Sequence, residues 1–175
     1  MIKFFFVIFN LFVLISPCFG EINHLYFSPK RSIAADFPCK PEVRNVKNSA
    51  VSVNALECLV SDENNLCRFI ITDSNMDMDM YSKHGIKWID AVHDAYAKQL
   101  GLFKTILYKK TKTTLGDSID YEIYVKNQGL DMQIKGTWVV DGDRLVRIST
   151  ICAPVETNFL KSQRSNFLST LTIIK

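Results

Sequence analysis

Proline is missing from the middle of this chain. None occurs between Pro41 and Pro154, so 112 consecutive residues run without the side chain that most sharply breaks strands and helices. That stretch holds no proline-rich linker and no internal repeat, which argues against a string of small units. Charge excess is also missing. There are 21 basic and 18 acidic side chains for a net charge of +3, too little to drive nucleic-acid binding. Histidine is scarce at three residues, so a Ser-His-Asp or Cys-His centre has little material to draw on. The HExxH, GxGxxG, P-loop and GxSxG patterns are absent, and these absences together read as a non-enzyme. No CxxC occurs, and the spacings of 19, 9 and 85 between the last four cysteines fit no standard zinc pattern. No N-x-[ST] sequon occurs either, which favours a bacterial envelope over a eukaryotic secretory route.

What is present is unevenly spread. Six of the 12 phenylalanines lie in the first 20 residues, where Lys3 is the sole charge. Residues 4–15 form an apolar run of 12, followed by Ser16, Pro17, Cys18, Phe19 and Gly20. A basic start, a short apolar stretch and a small-residue exit describe a secretory signal peptide over residues 1–20, cleaved after Gly20. The run falls short of the roughly 20 apolar residues that a membrane span requires. Lipidation at Cys18 and retention as an anchor are the alternatives, and only these would bring membrane association. All three place residues 21–175, read as a single domain, outside the cytosol.

Four cysteines then remain, and an even number in an exported chain favours disulfides. Three connectivities are possible. Cys58 and Cys67 flank the turn-like cluster Ser61-Asp62-Glu63-Asn64-Asn65. We therefore expect Cys58–Cys67, leaving Cys39–Cys152 to tie an early strand to a late one; buried free thiols are the other reading.

Residues 21–32 read as irregular, and Ile33–Phe37 is a short apolar run ended by Pro38. Residues 51–60 and 66–72 read as a strand and its hairpin partner. The 3.6-residue recurrence of Ile86, Ile89, Val92, Tyr96 and Leu100 predicts a helix over 86–100, with Gly101 as its left-handed cap. Strand-like runs follow at 102–114, 119–126 and 132–151, the last broken by Asp141-Gly142-Asp143. A final helix is expected over 157–171. Short connections imply antiparallel pairing, so the predicted class is α+β: a mostly antiparallel sheet of about six strands, with a central and a C-terminal helix packed on it.

The stretch Asp73–Met80, DSNMDMDM, is the most unusual. On an extended backbone Met76, Met78 and Met80 would present three thioethers on one face, near His84. Such a soft set suits Cu(I). The plainer reading is that these methionines fill a gap between strand and helix. Asp73, Asn75, Asp77 and Asp79 match the first ligands of a calcium loop, but Met78 replaces the required glycine and His84 the closing glutamate. Asp77 or Asp79 fits better as favourable charge at a helix N-terminus. His93, at the border of the apolar stripe, reads as a hydrogen-bonded structural residue rather than a base. Strict alternation would direct Lys104, Lys110 and Lys112 to one face and Lys109 to the other, as a solvated face, a charged edge strand or a contact for an anionic partner.

The segments GTWVVDGDRLVRISTICAP (Gly136–Pro154) and SNFLSTLTI (Ser165–Ile173), with the early PCKP (Pro38–Pro41), resemble PsbP-like domains. In that family a strand, a Gly-Asp turn and a second strand precede a helix bearing Phe-Leu-Ser. The resemblance spans most of residues 25–175. It implies an antiparallel sheet with packed helices and an exported binding or accessory module rather than an enzyme. No metal-binding or docking residue of the family can be matched to a position here. The expectation is therefore a periplasmic or secreted, non-catalytic protein without cofactor, whose partner is a protein or small ligand of the cell envelope. A Cu(I)-binding envelope protein using Met76, Met78, Met80 and His84 is the alternative.

Overall fold

The computed structural model describes residues 24–27, 33–48, 51–62, 65–127, 129–170 and 172–173. The segment that carries the signal-peptide reading, Cys18 included, lies outside the described residues. The strands are β1 (His24–Phe27), β2 (Ile33–Phe37), β3 (Glu42–Asn48), β4 (Val51–Asp62), β5 (Asn65–Asn75), β6 (Leu102–Lys112), β7 (Asp117–Asn127), β8 (Leu130–Asp141), β9 (Arg144–Cys152) and β10 (Thr172–Ile173). The helices are α1 (Met78–His84), α2 (Ile86–Gln99) and α3 (Asn158–Ser169). The main sheet has seven strands in the order β3-β4-β5-β9-β8-β7-β6, and β1, β2 and β10 form a small second sheet. All these pairings are antiparallel, so the fold is α+β and mostly sheet, with one strand more in the main sheet than expected.

The main sheet consists of two meanders, β3-β4-β5 and β6-β7-β8-β9, joined where β5 pairs with β9. Period-two alternation builds a separate core on each face. On one face Ile119, Tyr121, Ile123 and Val125 of β7 and Ile134, Trp138 and Val140 of β8 pack with Ile89 and Ala97 of α2. On the other, Phe69 and Ile71 of β5 and Val146 and Ile148 of β9 pack with Leu160 and Phe167 of α3 and with Ala35 and Phe37 of β2. The Phe167 ring stands 5.0 Å from that of Phe37 and 5.3 Å from that of Phe69. The two helices cover different strands: α2 lies over β6 and β7, whereas α3 lies over β4, β5 and β9.

The local signals locate most elements. α2 begins after Gly85 and stops before Gly101, whose φ of +80° is the expected left-handed cap. Glycine is needed there for space too, since a Cβ would lie 2.4 Å from the Lys126 carbonyl oxygen. Within the stretch expected to be irregular, His24–Phe27 form β1 by pairing with β2. Helix α1 was not foreseen. It buries none of its residues, so no apolar stripe announces it.

The cysteine pairing differs from the expectation. Cys39 is joined to Cys58 and Cys67 to Cys152, with Cα–Cα distances of 5.9 and 4.2 Å. Sheet register is the reason. In the β4–β5 hairpin Val60, not Cys58, stands opposite Cys67, so the two cysteines are diagonal neighbours. Diagonal positions sit roughly 7–8 Å apart, too far for a disulfide. Across the seam, Cys67 stands directly opposite Cys152.

Candidate functional site

Because α3 stops short of β6, β7 and β8, the sheet face beside it is open. The residues that alternate with the α2-side core point that way: Asp120, Glu122 and Tyr124 of β7, and Gln133, Lys135 and Thr137 of β8. They floor a trough made of three adjoining cavities. The largest, about 650 Å³, lies between this floor and Lys161, Arg164, Ser165 and Leu168 of α3. It meets one of about 240 Å³ at Lys135 and Leu168, walled by Leu107 of β6. At Tyr124 and Pro154 it meets another of about 320 Å³, bounded by Phe103, Lys126 and Asp131.

A buried polar network fixes the closed end. α3 is positioned by Thr157, which caps it by accepting from the Leu160 amide (3.2 Å) and donates its own hydroxyl to Asp62 (2.6 Å). That places Arg164 one turn after Leu160, on the buried side. Its guanidinium donates twice to Gln133 Oε1 (3.0 and 2.9 Å) and pairs with Glu156. The Gln133 amide nitrogen donates to Glu122 and to Tyr124 Oη (3.3 Å), and Lys135 pairs with Glu122 at 3.1 Å. Burial raises the Glu156 carboxyl above its usual range, against the pull of Arg164, Lys135 and Lys161. Glu156 also lies 3.8 Å from Cys67 Sγ. The ligating atoms of Cys67, Cys152 and Glu156 lie within 4.8 Å of one another, but the two sulfurs are already bonded to each other and offer no thiolate. The side chains at the closed end of the trough are therefore tied to one another by hydrogen bonds and ion pairs.

The α2 side holds the histidine. His93 is 3% exposed, accepts at Nδ1 from Trp138 Nε1 (3.2 Å) and packs its ring against Tyr108 and Tyr121. Burial lowers its pKa, outweighing nearby Asp94 and Asp90. This is the hydrogen-bonded structural role that the sequence suggested. Burial pushes the Asp90 carboxyl up, but hydrogen bonds from Lys110 and Tyr108 prevail and hold it below the usual range. Arg147 lies 4.1 Å from the Tyr96 ring and 5.3 Å from the Trp138 ring, a stacked cation in the core.

The other sequence candidates scatter. Met76 is buried in the α2-side core, whereas Met78 and Met80 lie in helical α1 and are each 42% exposed. Helical residues two apart differ by about 200° in direction, so the extended face of three thioethers does not form. Met80 and His84 alone share a helix side, both exposed. The calcium-loop pattern dissolves likewise. Asp73 is buried and pairs with Arg144, while Asp77 caps α1 by accepting from the Met80 amide (3.0 Å) with Asp79 in the first turn. The lysine faces need correcting as well. Register shifts between Leu102 and Lys104 and between Thr105 and Leu107 break the alternation. Lys104 stands opposite Tyr124 and Lys109 opposite Asp120, so these two share the trough face. Lys110 and Lys112, opposite Ile119 and Asp117, take the α2 face. Sequence reasoning missed Gln133, Glu156 and Arg164. A signal existed only for Arg164, a cation spaced four after Leu160 and three before Phe167 within an apolar stripe.

No protein-family model matches the chain, and no curated protein matches it. Among solved structures it is similar to PA94 of Pseudomonas aeruginosa, described as a protein of unknown function and a candidate regulator. The TM-score is 0.57 at 13% identity, over 87% of this chain and 98% of that one. At that identity the likeness is one of fold alone. No helix among the described residues is long and apolar enough to cross a membrane.

Proposed function

We propose that the chain is an exported, non-catalytic binding or accessory protein of PsbP-like type, and that its ligand lies in the trough beside α3. The trough itself carries this reading. A polar cleft with a cavity of about 650 Å³, braced by buried Arg164, Gln133 and Glu156, is preorganised to hold a partner. Arg164 and Glu156, and Lys135 and Glu122, are occupied with one another, which suits binding better than proton transfer. The two cysteine pairs favour an oxidising compartment, in line with the N-terminal sequence, the periplasm or the extracellular space of a bacterium.

Two experiments test this. Expression with the native N-terminus should yield a processed chain beginning at Glu21 outside the cytosol; an unprocessed cytosolic chain refutes the export reading. Immobilised wild-type protein and Ser165→Trp, which fills the trough from an exposed position, should be compared on envelope extract. Partners held by wild type and lost from the variant are expected. Identical retention, or none by wild type, overturns the reading.

A further inference from the structure

Charge at the lips of the trough narrows the ligand class. Of the cations around it, Arg164 pairs with Glu156, Lys135 with Glu122 and Lys126 with Asp131. Lys104 and Lys109 on the β6 lip and Lys161 on the α3 lip make no ion pair among the described residues. One carboxylate of the floor, Asp120, stands against these three lysines, and it already accepts from Thr137 (2.8 Å). The local balance is therefore cationic. The trough is also long and open: its floor along β7 runs from Asp120 to Lys126, six residue steps or about 20 Å. That length and openness fit a stretch of polymer better than a small metabolite.

The β6 lip has a readable spacing. The shift between Thr105 and Leu107 makes five residue steps from Lys104 to Lys109 span four of β7, about 13 Å. Between them Leu107, 46% exposed, stands opposite Glu122 on the same face and faces Leu168 across the cavity. The lip thus reads cation, apolar, cation. In an extended polypeptide, residues i, i+2 and i+4 lie on one side, and i and i+4 are also about 13 Å apart. The geometry points to an extended acidic polypeptide as the ligand, with carboxylates at i and i+4 and an apolar side chain at i+2. This inference rests on the trough being the binding face.

The test uses the processed chain and a labelled heptapeptide, Thr-Glu-Thr-Val-Thr-Glu-Thr, with anisotropy for affinity and amide NMR for location. The expected result is binding that shifts amides of β6, β7 and α3. A peptide with the second glutamate moved one position, to the opposite side of the strand, should bind roughly three- to fivefold more weakly, the loss of about one exposed ion pair. The Lys104→Glu/Lys109→Glu protein, whose melting temperature should stay near wild type because both sites are exposed, should bind the original peptide at least that much more weakly. Equal affinity for both peptides, or no effect of charge reversal, overturns the spacing rule. A neutral peptide that binds as well at the same amides overturns the acidic requirement while leaving the trough as the binding face. Shifts confined to α2 overturn both. If no peptide binds, this inference is overturned while the capture comparison still judges the trough.

Discussion

Gly136→Ala should be among the most damaging single-methyl additions in this protein. Gly136 lies in β8 opposite Ser149 of β9 and Tyr121 of β7. A Cβ there would sit 2.4 Å from the Ile148 carbonyl oxygen, 2.8 Å from Ser149 Cβ and 2.8 Å from Tyr121 Oη. The first contact is with ladder backbone, which cannot swing away as a long side chain can. Relief requires β8 and β9 to separate locally by about 0.8 Å, in the sheet that carries both cores. Overpacking costs roughly 1–3 kcal/mol, and backbone contact puts this case near 3. With a urea m-value of about 2 kcal/mol/M, the midpoint should fall by about 1.5 M, or the Tm by roughly 6–12 °C. Tryptophan fluorescence reports the transition, since Trp138 lies two residues away on the same face. Gly129→Ala is the control: its φ of +81° makes alanine strained, but nothing lies within 4 Å of the added atom. That substitution should cost about 1 kcal/mol. A Tyr121→Phe background removes one of the three contacts and should recover less than half of the Gly136→Ala loss. If Gly136→Ala costs no more than Gly129→Ala, the close approach is wrong.

Three further outcomes follow from the same geometry. Unreduced, unfolded processed protein should show no free thiol, and peptide mapping should recover Cys39–Cys58 and Cys67–Cys152. Closing an 85-residue separation is worth roughly 4–5 kcal/mol on the chain-entropy estimate, so Cys67→Ala/Cys152→Ala should lose most of that in denaturant titration. Arg164→Met strands the buried Glu156 carboxylate and should cost about 3 kcal/mol, with Glu156→Gln in the same chain restoring part of it. His93 has a lowered pKa in the folded state, so the unfolded chain takes up a proton that the folded chain refuses. Its contribution to stability should therefore fall as pH drops below about 6.5, and His93→Gln should flatten that part of the stability-pH curve.

Period-two alternation in β7 and β8 made those strands legible, because each buries one set of residues against α2, whereas β9, buried on both faces, is marked by its β-branched run and the Asp141-Gly142-Asp143 turn before it. The stripe from Ile86 to Leu100 and the glycines at its ends did the same for α2. Where no burial periodicity exists, the sequence was silent or misleading. α1 buries none of its residues fully and only Tyr81 packs on the core, so DSNMDMDM can be read as extended and its methionines as one face. The phase of β6 turns on a bulge that no residue type announces, so strict alternation puts Lys104 on the wrong side. The disulfides depended on register, which places Val60 rather than Cys58 opposite Cys67. The buried network of the trough joins residues 122, 133, 156 and 164 across two strands, a loop and a helix, a juxtaposition that exists only once the fold is formed.

The β5–β9 seam has a meaning for the order of events. Within each meander at most four residues separate consecutive strands, whereas the seam must bring together segments 85 residues apart in sequence. The two halves can therefore form hairpins early and independently, and the sheet is completed when they dock edge to edge. Cys67 and Cys152 sit at that joint, so their bond acts as a latch set after docking. A chain that reaches an oxidising compartment unfolded can explore the register of its two halves reversibly, and only the correct alignment brings the latch together. Breaking it would leave the nine-pair ladder between β5 and β9, the Asp73–Arg144 ion pair and the shared core to hold that alignment alone.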